Sequence, residues 1–369
     1  MNRCSVIVGH SATLIFLLLV IGYQPSLAEP YLAVQKGLKC MVCHTSPSGG
    51  GKRTAYGNIY AQLELPSHTL GNGKKTKFWT GELFKYFAVG GDIRGGWNRL
   101  DVPSQAKSYD TDLEEFLGYA ELKLVPNRLM AYVDAKIRPG DPVVREAYLR
   151  ISSADGRWWL RGGDFFLPFG LRIQDDDAFI RQVPGINYNT PDTGLELGLE
   201  QGRWTAQLAI TRGTAGGPEV DSGKQYSLRV SHVTPKWRVG GSLNFNDSEF
   251  GDRKMQNVFA GLRTGRIAWL AEFDYIIDEG SPTGRRRLWA SLVEANYALK
   301  RGHNLKITAE YLDPDSDVSN NEQNRLSLVW EYFPIQFLQI RLGYTIHGGI
   351  PQNPAQNREQ LFLEIHLPF

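Results

Sequence analysis

A transmembrane β-barrel of about sixteen antiparallel strands, with a small α-helical segment in front of it, is the architecture this sequence predicts. Three observations carry the expectation. Apolar and polar residues alternate with a period of two from about residue 82 onward. The connections between the alternating segments are short and long in turn, and the last segment is amphipathic and ends on Phe369. Composition agrees. Of 369 residues, 11% are aromatic and 22% charged, and no stretch after residue 28 approaches the apolar length of a spanning helix, roughly twenty residues. With 41 basic and 39 acidic residues the net charge is close to zero, so nucleic acid is not an indicated partner.

The first element, residues 1–28, reads as a secretory signal. Arg3 precedes an apolar run from Thr13 to Gly22, and Ser26-Leu27-Ala28 forms a small-x-small cleavage site before Glu29. The run is too short to span a bilayer. Cys4 lies ahead of it and leaves with the signal, so the exported chain keeps Cys40 and Cys43 alone.

Residues 29–78 hold the chemistry. Cys40-Met41-Val42-Cys43-His44 is the attachment pattern of one covalent c-type haem. Two thiols three positions apart reach the two vinyl groups of one porphyrin, and the next residue, His44, gives the iron a proximal nitrogen. A zinc site needs about four ligands, and adjacent Cys43 and His44 can hardly share one tetrahedron. A redox dithiol belongs at a helix start in a βαβ unit, and no such pattern follows. Tyr31 to Lys39 suits a short helix, and Thr54 suits the cap of a second helix with Tyr56, Ile59, Tyr60 and Leu63 on one face. This is too little apolar surface for an independent core. The segment is therefore expected to dock in, or at the mouth of, the barrel as a plug. His68 is the candidate for the opposite face of the iron; an open position, a ligand from the barrel wall and a solvated linker histidine compete with it. Gly49-Gly50-Gly51-Lys52-Arg53 reads either as a flexible loop or as a cradle for the propionates.

Residues 79–369 form the barrel. Leu129, Ala131, Val133, Ala135 and Ile137 alternate with Met130, Tyr132, Asp134, Lys136 and Arg138. Trp204, Ala206, Leu208 and Ile210 alternate with Thr205, Gln207 and Ala209, and Trp237, Val239, Leu243 and Phe245 with Arg238, Ser242 and Asn244. Successive side chains in a strand point to opposite faces, so the pattern predicts lipid outside and a wet lumen inside. Short connections fall near 125–128, 153–157, 201–203, 234–236, 264–266, 300–303 and 333–336, and long ones at 100–110, 170–193, 213–223, 246–254, 278–285, 313–322 and 348–357. Turns on the periplasmic side and loops outside are the expected orientation, and an even strand count puts both ends in the periplasm. Trp79, Trp97, Trp158, Trp159, Trp204 and Trp237 suit aromatic girdles. The loop 170–193 carries Asp175, Asp176 and Asp177, which read either as solvated charges or as a field that concentrates a cation such as ferrous iron.

The closing face Leu361, Leu363, Ile365, Leu367, Phe369 resembles the assembly signal of bacterial outer-membrane barrels, and Leu167-Pro168-Phe169-Gly170-Leu171-Arg172 is similar to a motif of anion-type porins. Cys40, Cys43 and His44 in front of such a barrel resemble the fused monohaem cytochrome–porin family, whose studied members are outer-membrane iron oxidases. The resemblance implies electron transfer across the outer membrane, with extracellular Fe(II) or another redox donor or acceptor on one side and a periplasmic cytochrome c on the other. It would make the chain an iron:cytochrome c oxidoreductase. Members often carry a Phe-rich stretch after the haem motif. Here Ser48–Lys52 is Gly-rich, which leaves the donor open. A solute porin with a haem-bearing plug or gate, and a sheath for a multihaem conduit, are the alternatives.

Overall fold

The computed structural model describes residues 29–71, 77–186, 190–213, 221–249, 251–280 and 284–369. The expected signal and its cleavage site at Ser26-Leu27-Ala28 lie outside the described residues. Three short helices come first: α1 (Pro30–Lys36), α2 (Cys40–Cys43) and α3 (Ala55–Leu63). A three-residue strand β1 (Glu82–Phe84) leads into the barrel. The barrel strands are β2 (Phe87–Asp101), β3 (Ser108–Val125), β4 (Leu129–Arg138), β5 (Val143–Ser152), β6 (Trp158–Phe165), β7 (Asp192–Gln201), β8 (Trp204–Thr211) and β9 (Gln225–Val233). They continue as β10 (Trp237–Asn246), β11 (Arg253–Thr264), β12 (Ile267–Asp278), β13 (Arg286–Lys300), β14 (His303–Asp313), β15 (Gln323–Tyr332), β16 (Gln339–Gly348) and β17 (Glu359–Pro368). A fourth helix, α4 (Phe179–Gln182), sits in the β6–β7 connection.

Sequential strands pair antiparallel from β2 to β17, and β17 returns to β2 with Leu363 opposite Trp97 and Pro368 opposite Asp92. Sixteen strands therefore close, as the alternation predicts. Closure leaves no open edge, which is the condition for a sheet to sit in hydrocarbon. The Phe369 amide donates to the Gly91 carbonyl, and the Phe369 carbonyl accepts from the Gly91 amide at 2.8 Å, so Phe369 is part of the seam.

The outer face is apolar and exposed. Leu195, Val258, Leu243 and Leu149 keep more than half of their surface free, Val258 as much as 60%. Aromatic residues mark both ends of this belt: Trp158, Trp204 and Trp237 at the turns, and Trp97 against Tyr109 and Trp289 against Tyr311 toward the loops. Trp159 departs from the girdle expectation. It is 1% exposed and points inward, where its ring lies over Gly198. Trp79 precedes the barrel and is held through its backbone by Gln62.

The lumen departs from the expectation of a wet pore. The β6–β7 connection, expected outside as an extracellular loop, folds into the barrel over residues 166–186. Its Leu167, Phe169 and Ile186 pack on inward-facing Met130, Tyr132, Tyr148, Met255, Ile276 and Leu288. A second cluster joins Tyr31, Leu32 and Val34 of α1 and Phe179 and Ile180 of α4 to Phe259, Leu270, Leu292 and Leu312 of the wall. The reason lies in β12 and β13, which carry apolar residues on both faces: Leu270 and Leu292 inward, Trp269 and Val293 outward. An inward apolar patch needs a cover, and the plug and the loop supply it.

Glycine sets the closeness of this fit. At Gly261 in β11 a Cβ would stand 2.6 Å from Val34 Cγ2 of the plug and 2.9 Å from Arg238 Cγ. Gly261→Val is expected to weaken plug docking by about 1–3 kcal/mol, the usual cost of overpacking. The variant should still give the heat-modifiable gel mobility of a folded barrel, while residues 29–71 become open to protease. An unchanged digestion pattern would contradict this packing.

Candidate functional site

The N-terminal segment is seated within the barrel, toward its turn end. Helix α1 starts with Pro30 at its first turn and stops at Gly37, whose φ of 64° makes a left-handed cap. It ends before the expected Lys39 because of that glycine. Helix α3 begins as expected at Thr54, whose hydroxyl accepts from the Gly57 amide at 3.1 Å. Its buried face differs from the expected one: Gly57, Asn58, Ala61 and Gln62 face inward, and Tyr56 and Leu63 are exposed. The small face is required because a Cβ at Gly57 would lie 2.3 Å from the Cys43 carbonyl oxygen. Close approach to the cysteine turn outweighs the burial of larger side chains.

Cys40 and Cys43 bracket the single turn of α2, one helical repeat apart on one face. Both thiols are free. His44 follows in extended conformation, its amide bonded to the Cys40 carbonyl at 3.0 Å. Residues 44–53 then loop back, with His44 bridged to Arg53 and the Thr54 amide on the Cys43 carbonyl. The barrel wall holds this loop at several points. Lys52 Nζ bonds Glu121 at 2.8 Å, Thr45 Oγ1 donates to the same carboxylate, and the Lys52 amide donates to Tyr132 Oη at 3.0 Å. Arg150 donates to the Thr45 carbonyl at 2.7 Å. At the other end of the segment Lys306 bonds Glu29 at 2.6 Å and Tyr31 donates to Glu331 at 2.9 Å. The Gly-rich run is thus a pinned loop.

A cavity opens beside the motif. The segment supplies Cys40, Cys43, His44, Gly49, Gly50 and Gly57 together with Leu32, Leu38 and Tyr60, the inward loop supplies Leu171 and Arg172, and the wall supplies Arg229 and Arg238. Several features suit a covalent haem. Both thiols and the imidazole line one space. Its walls are mainly apolar, with glycines where a flat ring needs room. His44 is 7% exposed and its Nδ1 is buried without a hydrogen-bond partner among the described residues. Burial, helped by the Arg53 guanidinium and opposed by the Gly51 carbonyl, pushes the His44 imidazole down to about 4, so it is neutral, the state that ligates a metal. Burial pushes the Cys43 thiol up to about 11.

Two further spaces lead away from the motif. One of about 550 Å³ shares His44, Gly50 and Arg172 with the first and adds Arg53, Asp92, Tyr119 and Arg145. The next, of about 1030 Å³, shares Arg94, Gln174 and Asp176 with it and is lined by Asp175, Asp177 and Arg325. Neighbouring cavities thus share lining residues from the motif toward the lumen side.

The other expected site residues lie apart. His68 is exposed, its backbone amide bonds the Pro334 carbonyl of the β15–β16 turn at 3.0 Å, and it does not line the cavity. The structure does not bring it to His44. The three aspartates are inside the barrel rather than on an outer loop. Asp175 pairs with Arg325 at 2.6 Å and Asp176 with Arg181 at 2.7 Å. Burial opposes ionisation of Asp175, and Arg325 more than offsets it, holding the carboxyl below its usual range. Among the described residues no group of three His, Cys, Asp or Glu is placed to hold a metal ion. Arg229, Arg238 and Arg172 were not foreseen as site residues. The available signal was basic residues on the polar face of β9 and β10, four register positions apart on paired strands.

No protein-family model matches the chain, and no curated protein matches it. Solved barrels do match in fold. OmpT of Vibrio cholerae, in a form lacking loop L8, has a TM-score of 0.60 at 12% identity over 77% of this chain and 100% of its own. The outer membrane channel DcaP of Acinetobacter baumannii gives 0.60 at 9%, over 77% of this chain and 97% of its own. An anion-selective porin from Comamonas acidovorans gives 0.58 at 10%, over 77% and 100%. The chain thus has the closed sixteen-strand barrel of the porin architecture.

Lys52 is the clearest handle on the loop that carries His44. Its side chain is 3% exposed and that of Glu121 is 11%. Lys52→Met leaves the carboxylate buried without its partner and is expected to cost about 3–5 kcal/mol of docking. Combining it with Glu121→Leu should recover most of that loss, read as protease resistance of the segment.

Proposed function

We propose that this protein is an outer-membrane electron-transfer protein. In this reading one haem c is held covalently on Cys40 and Cys43, His44 supplies its proximal nitrogen, and the barrel carries the group through the apolar band, about 25 Å tall. The haem supplies a one-electron Fe(III)/Fe(II) couple. The observation that carries the reading is the seating of the motif: Cys40, Cys43 and His44 line one largely apolar cavity inside a sixteen-strand barrel.

The chain's own residues give the arrangement its direction. On the lumen side, adjacent cavities that share lining residues are lined in turn by His44, Arg53 and Asp92 and then by Asp175. A small donor of the ferrous-ion class, entering from the loops, would approach by this route. Asp175 and Asp176 are committed to Arg325 and Arg181, so they shape the chamber rather than serve as open ligands. At the turn end Val42 and Tyr56, on the elements that carry and flank the cysteines, are exposed. A periplasmic cytochrome c would dock there. His68 does not line this cavity and is exposed beside the β15–β16 turn, which favours an open position or a ligand from the wall or loop over His68.

A second reading has its own observation. The barrels of like fold include a channel and a porin, so the plug could gate passage of solutes. That reading requires residues 29–71 to move or leave, because α1 and the inward loop pack across the lumen against the wall in this structure.

Intact mass of the exported protein is the first test; one added haem mass is expected, lost in Cys40→Ala/Cys43→Ala. Liposomes with ferrous iron outside and cytochrome c inside then test transfer. The wild type should reduce the enclosed cytochrome, and the double variant should fall to the rate of protein-free liposomes. Absence of the added mass would end the electron-transfer reading, and solute flux that follows the redox state would support the gate.

A further inference from the structure

Buried guanidinium groups are costly unless something negative faces them. The lumen of this barrel respects that rule almost everywhere. Arg145 pairs with Asp134 and Glu115, Arg161 with Glu146 and Glu196, Arg325 with Glu310 and Asp175, and Arg341 with Glu364. Arg229 and Arg238 do not follow it. They are 8% and 4% exposed, and among the described residues neither has a carboxylate within ion-pair distance. Arg229 gives one bond to the Gly170 carbonyl at 3.0 Å and one to Gln207 at 3.2 Å, and its guanidinium lies 4.7 Å from the centroid of the Phe259 ring. Arg238 Nε is buried with no hydrogen-bond partner.

Register puts the two together. β9 and β10 are neighbours, with Arg229 opposite Ser242 and Val233 opposite Arg238. The arginines therefore stand on the same inner face, four register positions apart, roughly 13 Å along the strand, a span that two long side chains can close. Both line the cavity that holds Cys40, Cys43 and His44. Two guanidinium groups without a salt-bridge partner among the described residues, Arg229 feeling Glu272 and Glu196 only at longer range, thus face a space bounded on another side by two free thiols.

We propose that Arg229 and Arg238 are a dicationic anchor for a ligand bearing two carboxylates, and, resting on the haem reading above, that those carboxylates are the haem propionates. The plug then supplies the covalent handle and the barrel wall supplies the charge clamp, so neither part holds the group alone. The ligand's two negative charges neutralise the pair. The clamp also bears on the redox equilibrium, since a nearby cation disfavours the more positive ferric form.

The test uses the full-length protein purified in detergent. Arg229→Gln and Arg238→Gln should each keep the covalent haem mass and shift the ferric–ferrous equilibrium toward ferric by about tenfold, which is 59 mV for one electron. Arg229→Lys and Arg238→Lys should recover most of the shift, and Arg157→Gln, at an exposed turn, should leave the potential unchanged. If the glutamine variants fail to assemble, resonance Raman spectra of the wild type and the lysine variants take their place, with the propionate bending band expected to move in each. Haem attached with an unaltered potential in assembled glutamine variants, or an unaltered propionate band, overturns the clamp. A wild type without covalent haem overturns the underlying electron-transfer reading, a result distinct from either.

Discussion

The plug and the barrel share one interior, and buried ion pairs between them hold it together. Lys306 with Glu29 and Lys52 with Glu121 join the start and the middle of the segment to different strands. Glu29 and Lys52 of the segment find their charged partners in the wall, and Lys306 pairs with the wall's Glu331 as well. A barrel without the plug would expose its inward apolar patch at Phe259, Leu270 and Leu292, and the plug without the barrel would be about forty residues with almost no core. Each part supplies what the other lacks, so the segment is best regarded as the inner layer of the barrel.

This shared interior explains where the cofactor motif can act. A Cys-x-x-Cys-His turn on a solvated tail would leave the ring exposed. Here α3 approaches Cys43 through Gly57, the Gly-rich run is tied back by Lys52, and the wall closes the far side with Arg229 and Arg238. The inward connection adds Leu171 and Arg172 from a third direction. Four separate stretches of chain thus build one cavity, and lipid outside sets no limit on how polar its inner rim is.

Much of this was legible from residue order. Strand number, the alternation of short and long connections, the closing strand that ends on Phe369 and the Thr54 cap all follow from local rules: side-chain alternation, turn chemistry and capping. The attachment motif is equally local, because its two thiols and imidazole fall within five residues. The misread features share one cause. Trp159, the loop at 166–186 and the aspartates at 175–177 were placed by sequence position alone, yet each is decided by what lies across the lumen. Trp159 turns inward over Gly198, and the loop turns inward because β12 and β13 present leucines there.

Alternation is a property of single strands, and so the barrel and its lipid-facing surface were written into the chain one segment at a time. The Cys40-x-x-Cys43-His44 spacing that underlies the proposed haem site is likewise local. Which wall residues face that motif was not, since Arg229 and Arg238 are almost two hundred positions away and meet it only after sixteen strands have closed in register. Charge compensation in a closed lumen is a relation between distant residues, and it exists only once the ring is complete.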